Sequence, residues 1–157
     1  MPKTLLAVGL LVLSSIHVGC TDPVRMGSSE DEMQRFFTLP LERQHFEFRT
    51  YPFDKQYAIY MYSMERRHPP DLSFAYEIAA RGKEVVPMLL QKVKETGNEW
   101  EQDRIIYVFV AMARQDSYDV KSDHNLIKTL RATVASMQKE TVRENSSRYL
   151  AEIVGTS

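Results

Sequence analysis

Apolar positions recur with the helical period over most of residues 54–154. Asp54, after Pro52, is placed to cap a helix in which Tyr57, Tyr60, Met61 and Met64 fall at i, i+3, i+4 and i+7. The "HPP" that follows stops it, because proline lacks a donor and clashes with the preceding turn. Asp71 is placed to cap a second helix with Phe74 and Ile78 on one face, closed by Gly82 in a left-handed conformation. Val86, Leu89, Leu90 and Val93 mark a third, with Pro87 in the first turn, where its missing amide costs nothing, and Gly97 beyond its end. Asn98, with Glu101 three residues on, forms an asparagine version of the capping box and opens "IIYVFVAMA". Those β-branched residues would also suit a buried strand. The capped segment runs about 17 residues, too long for one, so the pattern predicts a central helix buried on most sides. Asp123 caps a helix with Ile127, Leu130, Val134 and Met137 on one face. Thr141 with Glu144 reads as another capping box, opening a last helix that buries Val142, Tyr149, Leu150 and Ile153. Residues 34–50 hold a short helix at best, with Phe36, Phe37, Phe46 and Phe48 packing on the first helix.

The N-terminal pattern is different. A positive start at Lys3, an apolar stretch from Thr4 to Ile16 and the small Gly19 describe a secretory signal, too short to span a bilayer. The only cysteine, Cys20, follows directly. "VGC" after such a stretch resembles the lipobox of bacterial lipoproteins, although His17 stands where that family prefers an aliphatic residue. The resemblance implies cleavage after residue 19, a diacylglyceryl group on the Cys20 thiol, and a membrane partner. Lipidation would also remove an unpaired thiol from an oxidising compartment. Thr21, in place of the aspartate that retains lipoproteins at the inner membrane, implies the periplasmic leaflet of an outer membrane. Polar residues 20–33, with Pro23 and Gly27, read as the lipidated cysteine and a tether; Thr21–Met33 reaches at most about 43 Å. Residues 34–157 form the single folded domain.

The helices group as three hairpins, 54–67 with 71–81, 84–96 with 98–114, and 123–138 with 141–154. The middle pair, "EVVPMLLQKVKE" and "DRIIYVFVAMAR", resembles a HEAT repeat, and "TVRENSSRYLAEI" is similar to a second helix of one, with Ser146 where alanine is usual. The resemblance implies an all-α, right-handed α-solenoid and a role in binding other proteins, with no shared catalytic residues. In such stacks the second helices line the inner surface. On the middle one, Ile105, Val108, Phe109 and Met112 take the packed face. Arg104, Tyr107, Ala111 and Arg114 recur on another stripe, matched on the last helix by Glu144, Ser147, Arg148 and Ala151. Arginine and tyrosine are favoured at protein contacts, so Arg104, Tyr107, Arg114 and Arg148 are the candidate partner-binding residues.

Composition narrows the chemistry. Loss of Lys3 with residues 1–19 takes the formal charge from −1 to −2, which argues against nucleic acid. With no cysteine beyond Cys20 there is no internal disulfide and no cysteine-ligated metal. His45, His68 and His124 have no histidine or cysteine at ligand spacing. The acids Asp116, Asp119 and Asp123 near His124 fit no calcium loop and read as a solvated loop with helix caps. No Gly-x-Ser-x-Gly turn or phosphate loop is present, and the acids Glu30, Asp31 and Glu32 fall in the tether. The tyrosines Tyr51, Tyr57, Tyr60 and Tyr62 could form a sugar or peptide platform, or serve as the boundary of the core. The sequence therefore points to a non-enzymatic envelope protein, without cofactor, that binds another envelope protein. The rivals are a cell-wall enzyme or inhibitor and a structural subunit of a larger complex. Cys20→Ser is expected to abolish incorporation of labelled palmitate in a bacterial host and leave the precursor uncleaved; a wild-type protein that takes up no label would remove the anchor.

Overall fold

In the computed structural model the described residues are 29–67 and 69–155; Cys20, the signal-like segment 1–19 and His68 lie outside them. The chain forms α1 (Ser29–Thr38), α2 (Leu41–Thr50), α3 (Phe53–Arg66), α4 (Ser73–Ala79), α5 (Val86–Glu95), α6 (Glu99–Arg114), α7 (His124–Ser136) and α8 (Glu140–Val154), with no strand among the described residues. These eight helices make one all-α body. The "IIYVFVAMA" segment is α6, and every residue from Ile105 to Met112 is buried. It is covered by α4 and α8 on its flanks and by α5, its partner in the hairpin. Neighbouring helices also meet as α3 with α4, α7 with α8, α5 with α7 and α2 with α4.

Local chemistry explains most boundaries. Asn98 accepts from the Trp100 amide at 3.0 Å, and Asp123 from the Leu126 amide at 3.0 Å, so both cap their helices as expected. Asp71 lies just before α4 and accepts from the Ser73 amide at 3.0 Å. Gly82 has φ +58° and Gly155 φ +75°, both left-handed. Gly82 is doubly constrained: a Cβ there would lie 2.6 Å from the Ser117 carbonyl oxygen.

Other boundaries differ from expectation. Residues 34–50 carry parts of two helices, and α1 starts at Ser29, inside the stretch taken as tether. Glu30, Asp31 and Glu32 occupy its first turn, where carboxylates favour the helix dipole, and Phe36 packs inward at 6% exposure. Phe46 does not pack; it is 59% exposed on the outer side of α2, with Arg43 over its ring. Asp54 sits in the first turn of α3 behind Pro52 and does not cap it. Glu101 does not complete a capping box. Its carboxylate accepts from Tyr57 at 2.5 Å and from Thr96. Nor do Thr141 and Glu144 open α8, which begins at Glu140. Instead Glu99, in the first turn of α6, accepts from the Gln138 and Lys139 amides at 2.8 and 2.9 Å. These bonds hold the Glu99 carboxyl below its usual range. A tertiary contact thus replaces the local cap.

Leu90 is half-buried, whereas Leu89 is fully buried. Phe109→Ala is therefore expected to cost about 3–5 kcal/mol in urea unfolding, and Leu90→Ala less than about 2 kcal/mol. Gly82→Ala should cost more than about 1 kcal/mol, since strain and the Ser117 clash add. A Gly82→Ala midpoint equal to wild type would contradict this account of the turn.

Candidate functional site

The three candidate arginines and Tyr107 are spread along the seam where α4, α6 and α8 lie side by side. Tyr76 from α4, Tyr107 from α6 and Tyr149 from α8 form a row, with centroids 6.3 Å apart for the first pair and 5.2 Å for the second. Arg114 closes one end. It donates to Glu152 through two nitrogens at 2.6 and 3.0 Å, to the Tyr76 hydroxyl at 2.9 Å and to the Tyr107 hydroxyl at 3.4 Å. The guanidinium draws the Tyr76 phenol and the Glu152 carboxyl below their ordinary values. Burial, with the Tyr76 hydrogen bond second, pushes Tyr107 up to about 12.

Tyr107 is only 6% exposed and Ala111 is fully buried. The stripe that reads as a free face is, at its centre, a packing seam, because both flanks of α6 are covered. Tyr107 is therefore a buttress and not a surface contact. The Arg104 side chain is 13% exposed and reaches Glu65 at 3.0 Å, while Arg148 is exposed and reaches the Asn145 side-chain oxygen.

At the other end of the seam is a cleft of about 450 Å³. Its wall is Trp100, Asp103 and Arg104 from α6, Asn145 and Tyr149 from α8, and Met64, Pro69, Pro70 and Leu72. Trp100 is 46% exposed. It stands one turn before Arg104, in phase with Tyr107 and Arg114, and that register was the available signal for it. Asp103 is 7% exposed. Asn145 Nδ2 donates to both its oxygens at 2.9 Å and Ser146 Oγ donates at 2.6 Å. Burial still pushes the Asp103 carboxyl above its usual range, since three donors do not replace full hydration. Ser146 is buried and donates to this carboxylate.

A second cluster was not foreseen. Ser73 Oγ lies 3.3 Å from His45 Nε2, and His45 Nδ1 lies 3.3 Å from Glu77. The order serine, imidazole, carboxylate is that of a nucleophile relay. The protons are placed otherwise: the Ser73 hydroxyl donates to Asp71, and Glu77 is held by Arg49 at 2.8 Å through both oxygens. The cluster ties α2 to α4. In the loop before α7, Asp119 accepts from the Ser122 amide at 3.1 Å and Asp123 caps the helix, as local turn chemistry requires. Among the described residues no group of His, Cys, Asp or Glu gathers at metal-binding spacing.

Compared with protein-family profiles, curated proteins and solved structures, the chain matches none.

Asp103 yields a test by pH. A carboxyl with a raised folded value binds its proton more tightly in the folded state. Its effect on stability is most favourable below the ordinary value of 3.8 and is lost as pH rises through the folded value. In Asp103→Asn this component disappears. The wild-type minus variant difference in urea midpoint is expected to fall between pH 3 and the raised folded value and then level; a flat difference would mean that the carboxyl is not perturbed.

Proposed function

We propose that the protein is a lipid-anchored module of the bacterial cell envelope. Cys20 carries the anchor, and the helices form a HEAT-like stack whose second helices engage another envelope protein. The order of the helices supports the stack: α3 and α4, α5 and α6, α7 and α8 are successive pairs in contact, and α6 touches both α4 and α8. No helix among the described residues is long and apolar enough to cross a membrane.

The observation that carries the binding role is the state of Arg114. Its guanidinium is partly exposed yet held by Glu152 and two tyrosines drawn from three helices. An arginine already ordered in this way loses little entropy when a partner arrives, and arginine and tyrosine dominate contact energies. Arg148 lies beside Tyr149, 6.0 Å from its ring, and extends the same face. Tyr107 supports both from below.

A photoreactive amino acid in place of Tyr149 is expected to yield one discrete crosslinked product in cells. The added double substitution Arg114→Ala, Arg148→Ala should abolish it while shifting the melting temperature by no more than a few degrees, because exposed ion pairs contribute little. An unchanged crosslink in that variant would overturn the proposed face.

A further inference from the structure

We propose that the surface around Pro69 and Pro70 rests on the lipid bilayer to which the chain is anchored. The proposal rests on the reading of Cys20 as lipidated. Among the described residues four large hydrophobic side chains remain exposed: Leu41, Phe46, Leu72 and Trp100. Three of them converge on this surface. Leu41 lines a hollow with Arg66, Arg67, Pro69, Pro70 and Asp71. Leu72 and Trp100 line the cleft described above, and Pro69 and Pro70 belong to both hollows. A cluster of leucine, tryptophan and proline beside arginine is the composition of an interfacial surface, with tryptophan at headgroup depth and arginine toward phosphate.

Two arginines stand on the rim of this surface. The Arg66 side chain is 65% exposed and meets Glu30 only at 3.9 Å. Arg67 lies over the Phe37 ring and reaches Gln44. The acids around it are Glu30, which faces Arg66, Asp71, which accepts from Ser73, Glu65, which is paired with Arg104, and Asp103, which is buried in the cleft wall.

The position of the chain entry selects the bilayer over other occupants. Glu30, the residue that faces Arg66, is the second residue of α1, so the polypeptide enters the domain beside this surface. Nine peptide steps separate Cys20 from Ser29, a reach of at most about 32 Å in any conformation. The surface is therefore held close to the anchoring membrane. At the effective concentration that such a short link imposes, even weak interfacial contact is populated.

Trp100 is the only tryptophan of the chain, so its emission reports on this surface alone. The lipidated full chain is placed in vesicles of phosphatidylethanolamine and phosphatidylglycerol, with or without phospholipid brominated on its acyl chains. Brominated vesicles are expected to quench Trp100 at least twofold. Leu72→Asp and, separately, Arg66→Glu should restore the emission while the protein still floats with the vesicles through its lipid. Wild-type protein that floats but is not quenched overturns this proposal and leaves the anchor standing. Wild-type protein that does not float overturns both. Quenching that survives both substitutions places the contact elsewhere and overturns the assignment of this surface.

Discussion

The segment from Ile105 to Met112 carries apolar side chains around the whole circumference of α6, and all eight residues are buried. One neighbouring helix covers only one side of such a cylinder. Three are needed, and α4, α5 and α8 supply them. The positions of these helices follow from that demand, and so do the turns that return the chain to α6 on each pass. Gly82 is an example. Its left-handed backbone and the close Ser117 carbonyl let the loop after α6 dock against the end of α4, where Ser117 Oγ donates to the Ala79 carbonyl at 2.7 Å.

Covering α6 completely brings a polar cost with it. Asp103 lies two residues before the apolar run, where α8 closes over it. Its carboxylate is retained by Asn145 and Ser146, which cross from α8 to meet it. Such a pairing contributes more to specificity of register than to stability, because hydrogen bonds only partly offset the loss of hydration. Glu99, one turn earlier, makes a second connection by accepting both amides at the entry of α8. Together these acids set the α6–α8 register, and with it the tyrosine row that holds Arg114.

The same packing divides the exposed surface into two parts. Toward the end of α6, Arg114 and Tyr76 present ordered polar and aromatic groups, with Tyr149 and Arg148 between the two parts. Toward its start, Trp100, Leu72 and the two prolines present apolar groups beside the entry of the chain. An anchor at Cys20, as proposed, would put the second part near the membrane.

Periodicity was sufficient to place α3 to α8, because it depends on residues near in sequence; Asn98 and Asp123 also cap their own helices, and the left-handed Gly82 turns the chain between α4 and α5. The helical character of "IIYVFVAMA" was also legible, from its length between caps. The candidate stripe was legible in register but not in exposure. Whether Tyr107 faces solvent depends on α4 and α8, which lie about thirty to forty residues away along the chain, and a single helix cannot reveal what will cover it. The same reason hid the start of α8: Glu99, remote in sequence, accepts the Gln138 and Lys139 amides just before the helix, which begins ahead of Thr141. The α1 and α2 helices, with few apolar residues between them, were missed because their stability comes from Phe36 and Phe48 packing on Phe74 and not from their own pattern. The sequence by itself thus determined where helices could form and which apolar faces had to be hidden. Only the tertiary structure decided which polar groups remained at the surface, because burial is a property of neighbours and not of a residue.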